Sequence, residues 1–156
     1  MPAKNGYVCG IFICPSAGDA MIQVESVMAI AGHGLEGDRY CNAAGSWNKG
    51  VPGKRQVTLM NGAHFGCCGF DYGDSRRNII TGGVELMRCI DKDFLIDGVR
   101  LRGVKYCEPC PRPSKLAHID LNFEDVFHDQ GGLIAEILVG GLIKEGSIIV
   151  PPPKKY

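Results

Sequence analysis

The 156 residues are enough for one domain with a sizeable buried core, and the whole span 1–156 is read as a single unit. Lysine plus arginine and aspartate plus glutamate both number 17, which leaves no bulk charge to hold a nucleic-acid backbone or an anionic membrane surface. Any anion this chain binds must be gripped locally.

The 22 glycines and nine prolines predict tight turns and short strands, not a helical bundle. The first apolar run, "YVCGIFIC", follows a single lysine and is short for the core of an export signal, so it reads as a strand. No stretch approaches the roughly 20 apolar residues of a membrane helix. On that reading the protein is cytoplasmic, and its eight cysteines are reduced thiols, most of them small buried hydrophobes.

"MIQVESVMAIA" alternates apolar and polar residues and predicts a second strand. The glycine turn "GHGLEGDRY" follows, with Asp38 and Arg39 pinning it by hydrogen bonds and charge. Next comes a long polar loop, "CNAAGSWNKGVPGK", whose length marks it as functional. "RQVTLM" is a short strand, Asn61 caps a helical turn, and "RRNIIT" is a short extended segment in which Arg76 and Arg77 face opposite ways. "FLI", the turn at Asp97 and Gly98, and "VRLRGVKY" form a hairpin. Val99 and Leu101 share one face whereas Val104 and Tyr106 have the opposite phase, which predicts a bulge near Gly103. "NFEDVFHD" is helix-compatible, and "GLIAEILVGG" and "GSIIVP" are two closing strands. Seven or so short strands with a few short helices predict a closed or nearly closed β-barrel.

Three constellations carry chemistry. Gly32, Gly34 and Gly37 match G-x-G-x-x-G, but neither a helix nor an acidic residue about 20 positions on follows, so the segment is a turn and not a dinucleotide site. Cys107 and Cys110 form a C-x-x-C. With Cys67, Cys68 or His64 it would make half of a zinc clamp, although adjacent cysteines suit one tetrahedral ion poorly. Pro111 and Pro113 argue against a helix starting there, and therefore against a thioredoxin-like dithiol; they predict a stiff extended loop that aims the Cys110 thiol at a soft metal or a sulfur atom. Arg76, Arg77 and Asn78 in one short segment and Arg55 and Gln56 in another supply guanidinium forks for phosphate oxygens and amides for a heterocycle edge. The alternative for these arginines is a solvated surface.

Taken together, "GLEGDRY", "KRQVTLM", "RRNIITGGVEL", "GVKYCEPC" and "GGLIAEILVGGLIKEGSIIV" resemble, in order and over about residues 8–150, the MOSC domain. That module is named for the C-terminal part of molybdenum-cofactor sulfurases and also occurs as small free-standing proteins. The resemblance implies a β-barrel related to the small domain of pyruvate kinase. It implies Cys110 as the functional thiol, either ligating molybdenum in the pterin cofactor or carrying a persulfide, and it matches Arg77 and Asn78 to the cofactor side. On the first alternative Arg55 and Arg77 hold the cofactor's phosphate, Gln56 and Asn78 orient its ring, Cys107 supports the site, and an electron-donor protein drives the reduction of N-hydroxylated compounds. On the second no cofactor is bound: a pyridoxal-phosphate-dependent sulfurase loads Cys110, and Cys107 resolves the persulfide. A zinc-clamped interaction module is the third. The chain departs from the family pattern at "PRPSKL" after the C-x-x-C, and at Gln130 and Ile134, where relatives carry arginines. The expected consequences are a different outer wall and weaker phosphate binding.

Overall fold

The computed structural model describes residues 4–42, 53–65 and 69–153. Among these, β1 (Gly6–Ile13), β2 (Ile22–Val24), β3 (Ser26–Ile30), β4 (Gly34–Leu35), β5 (Val57–Asn61), β6 (Ile79–Gly82), β7 (Asp93–Ile96), β8 (Val99–Tyr106), β9 (Leu133–Val139), β10 (Gly141–Lys144) and β11 (Ile148–Val150) follow one another, with two short helices, α1 (Arg112–Ala117) and α2 (Phe123–Val126), between β8 and β9. Seven strands hydrogen-bond in the order β11, β7, β8, β9, β5, β6, β1, and β1 pairs back to β11 at Gly6↔Ile149. The barrel is therefore closed, which removes all but short edges. β5 and β6 are parallel; the other barrel pairings are antiparallel. β10, β3 and β4 form a small second sheet.

The barrel interior is aliphatic except for Phe94. Ile11, Val57, Leu59, Ile79, Phe94, Ile96, Leu101, Leu133, Ala135 and Ile149 converge there with almost no exposure. An aromatic cluster lies against the outside of β1, β5 and β6, where Phe12, Met60 and Ile80 receive Phe65, Phe70, Phe123 and Phe127. Phe123 and Phe127 stack 4.5 Å apart, and Phe70 meets Phe123 edge-on at 5.3 Å. This cluster fixes α2 to the barrel, and α2 in turn holds α1: the Ser114 hydroxyl donates to the Leu121 carbonyl and accepts from the Phe123 amide, both at 2.7 Å.

The hairpin turn at Asp97 and Gly98 is present, and so is the bulge: the β8–β9 register slips between Gly103 and Lys105. Gly103 is required there, because a Cβ would lie 2.1 Å from the Cys89 carbonyl oxygen. The Asn61 cap also forms, its side chain accepting from the Ala63 amide at 2.9 Å.

Three local expectations fail. The run from 21 to 31 is two strands, because the chain leaves β1 at Glu25 and joins β10 instead. The closing segment contains three strands, β10 pairing with β3 outside the barrel. A helix does start after the C-x-x-C, with Pro111 at its N-cap and Pro113 in its first turn. Prolines are tolerated at those positions because first-turn amides have no partner inside the helix.

Candidate functional site

One small pocket, a cavity of about 50 Å³ open to solvent at its mouth, gathers Arg39, Tyr40, Arg55, Arg76, Arg77, Cys110, Arg112 and Pro113. Five guanidinium groups and a thiol thus converge from segments spread over more than 70 positions of the chain. The C-x-x-C loop is pressed into place by the glycines that precede β9. The Cys107 amide donates to the Gly132 carbonyl at 2.9 Å, and a Cβ on Gly131 would lie 2.1 Å from the Cys107 carbonyl oxygen. Gly131 must therefore remain glycine for this loop to dock.

The same glycine positions the best-fixed cation. Arg77 is buried, at 4% exposure; its Nε donates to the Gly131 carbonyl at 2.8 Å and its Nη1 to the Ser75 carbonyl at 3.1 Å. Its Nη2 is buried with no hydrogen-bond partner among the described residues. A cationic N–H left in that state costs more than an ordinary unpaired donor. Arg55 lies 5.3 Å from the centre of the Tyr40 ring and places Nη2 3.9 Å from the Cys107 sulfur. Arg39 lies 4.7 Å from the same ring and is tied to the buried Asp38 at 3.2 Å. Asp38 anchors the whole turn by accepting from the Cys14 and Tyr40 amides, as its place after the glycine turn predicts.

Arg76 corrects the expected alternation. It is not extended: it caps the 3-10 turn Tyr72–Ser75 in the left-handed region, with φ 62°, so both it and Arg77 reach the pocket. Its guanidinium donates to the Asp19 carbonyl at 2.6 Å and contacts the Cys14 sulfur at 3.5 Å. Burial, followed by the neighbouring Arg39 charge, lowers its proton affinity; the Cys14 contact opposes this, and Arg112 adds to the lowering.

The two amides assigned to a heterocycle edge are spent inside the protein. Asn78, fully buried, accepts at Oδ1 from the Thr58 amide (3.0 Å) and hydroxyl (3.2 Å), while Nδ2 donates to the Phe12 carbonyl (3.1 Å). Gln56 accepts from the Ile137 amide at 2.8 Å and donates to the Gly53 carbonyl at 3.1 Å. Both are struts that hold strands beside Arg77 and Arg55, and neither lines the pocket. Cys107 is also buried, whereas Cys110 is half-buried and lines the pocket. Cys67, Cys68 and most of the polar loop from 41 to 54 lie outside the described residues. Among the described residues no three His, Cys, Asp or Glu side chains stand together as a metal cage.

Sequence reasoning missed Arg39, Tyr40, Arg112 and Gly131. Arg39 was legible only as part of a turn, and Arg112 is aimed by a helix the prolines argued against.

No protein-family model matches this sequence, and no curated protein sequence matches it. Solved structures do. The chain superposes on the YuaD protein from Bacillus subtilis with a TM-score of 0.75 at 16% identity, covering 94% of each chain. YiiM from Escherichia coli gives 0.68 at 14%, over 97% of this chain and 71% of that one. YiiM from Geobacillus stearothermophilus gives 0.68 at 12%, over 94% and 75%. At such identities the likeness establishes the fold.

Proposed function

We propose, from a chain with a MOSC-like fold, that the arginine pocket binds a phosphorylated pterin molybdenum cofactor with the Cys110 thiol facing the metal. The observation that carries this reading is the buried, partnerless Nη2 of Arg77 in a pocket that also holds a thiol. The lining fits the group: guanidinium forks match phosphate oxygens, and a thiolate is a soft donor suited to a thiophilic metal. When bound, the cofactor supplies the redox chemistry. The chain's own part is positional. Arg77, held by two carbonyls, and Arg55, stacked near Tyr40, grip the phosphate. Gly131 and Gly132 hold the C-x-x-C loop against the barrel so that Cys110 keeps one direction, and Asn78 and Gln56 brace the strands that carry the two arginines.

Reduction of N-hydroxylated compounds is the reaction this reading assigns. The test is reduction of an N-hydroxylated amidine by a chemically reduced dye, using protein from a host that makes the cofactor. Turnover that disappears in Arg77→Lys together with the acid-released pterin supports the reading; pterin-loaded protein without turnover rejects the reductase assignment.

A further inference from the structure

The five guanidinium groups of the pocket fall into two sets according to what holds them. Arg77 and Arg55 form an inner pair, one buried and fixed by carbonyls, the other beside the Cys107 sulfur. Arg39, Arg76 and Arg112 form an outer set, named for the exposed Arg112 and not for depth throughout, since Arg39 is itself buried at 6% exposure whereas Arg55 is half-buried. Arg39 and Arg76 rise from the glycine turn and from the cap before β6, and Arg112 stands exposed in the first turn of α1.

A phosphate monoester carries at most two negative charges and is matched by the inner pair alone. The outer set then holds three cations, and among the described residues its one carboxylate contact is Asp38 on Arg39. Like charges are not crowded into one pocket without cost. Arg76 registers that cost: its proton affinity is lowered by burial and by both of its outer neighbours, Arg39 and Arg112. The departure "PRPSKL" supplies Arg112, so the outer wall that differs from the family pattern is also the wall that brings a cation.

We propose that Arg39, Arg76 and Arg112 form a second oxyanion station beside the first, so that the pocket accommodates two phosphate-like groups at once. The second oxyanion arrives either on the same ligand, as the far phosphate of a diphosphate, or on a separate acidic substrate. This rests on the reading that Arg55 and Arg77 hold the first phosphate.

The test uses the full chain from a host that does not make the cofactor, titrated calorimetrically with inorganic phosphate and with inorganic pyrophosphate at low salt. If the oxyanions are linked, pyrophosphate binds one per chain, on the order of tenfold tighter than phosphate. If they are separate, two phosphates bind per chain. Arg112→Gln, a substitution at an exposed position, abolishes the pyrophosphate advantage or the second phosphate and leaves the first phosphate within about threefold. Lys115→Gln, which removes one exposed cation of the same helix outside the pocket, changes neither and controls for general charge attraction. A single phosphate with no pyrophosphate advantage in the wild type, or equal effects of Arg112→Gln and Lys115→Gln, overturns the second station. Phosphate binding unaffected by Arg77→Lys instead overturns the inner assignment, so the two failures are distinguishable.

Discussion

Replacing Asn78 by alanine separates a strut from a ligand contact. In the fold its amide accepts two hydrogen bonds from Thr58 and donates one to the Phe12 carbonyl, with no solvent exposure. Alanine leaves the Thr58 amide and the Phe12 carbonyl without these partners, and both residues are buried. Each buried group left unpaired costs about 1–3 kcal/mol, so the loss is about 3 kcal/mol once partial relaxation is allowed. For a chain of this length that lowers Tm by roughly 6–12 °C. Urea unfolding monitored by circular dichroism measures the loss, and phosphate titration below the new midpoint measures the site. The expected result is a large fall in stability with phosphate affinity within about threefold of wild type, because Arg77 keeps its own anchors at Gly131 and Ser75. Unchanged stability with binding lost would show that the amide faces a ligand and that the strut is misassigned.

Gln56→Ala should behave likewise on a smaller scale, losing about 1–3 kcal/mol through the orphaned Ile137 amide, as urea unfolding will report. Gly131→Ala must push a Cβ into the Cys107 carbonyl, so it should displace the C-x-x-C loop and abolish phosphate binding, seen by titration, while the aliphatic barrel stays folded. Alkylation with iodoacetamide at pH 8 should modify the half-buried Cys110 before Cys89, whose thiol burial pushes up to about 11; peptide mass spectrometry decides the order. Asp97 accepts from the Ser147 hydroxyl at 2.6 Å and the Ile148 amide at 3.0 Å, and these bonds hold its carboxyl below the usual 3.8. The folded state therefore binds this proton less readily than the unfolded chain. The stabilisation is present above about pH 4 and is lost as pH falls through the depressed value, so Asp97→Asn should flatten the acid limb of a stability–pH profile.

The parts of the fold legible in the sequence are those in which local pattern and tertiary partner agree. The reversal of phase between Leu101 and Val104 announces the Gly103 bulge, because side-chain alternation has a period of two and an inserted residue must invert it. The split at Glu25 was hidden: β2 and β3 have similar local character and differ only in partner, β1 for one and β10 for the other. Arg76 and Arg77 were expected on opposite faces, but alternation applies only to extended backbone, and Arg76 is left-handed. Of the candidate site, Cys110, Arg55 and Arg77 were legible as residue types that suit a metal and a phosphate. Asn78 and Gln56 were assigned to a ligand, but an amide that suits a heterocycle suits a backbone carbonyl equally well, and only burial distinguishes the two.

The central claim, that Cys110 faces molybdenum in a phosphate-gripping pocket, is tested most directly by metal content. Wild type, Cys110→Ser, Cys107→Ser and Arg77→Lys would be purified from a host that makes the cofactor and measured for molybdenum and zinc by plasma mass spectrometry. The account predicts molybdenum in stoichiometric amount in wild type, its loss in Cys110→Ser, partial retention in Cys107→Ser and weakened retention in Arg77→Lys. Zinc in wild type, or molybdenum retained equally by all four proteins, would contradict it.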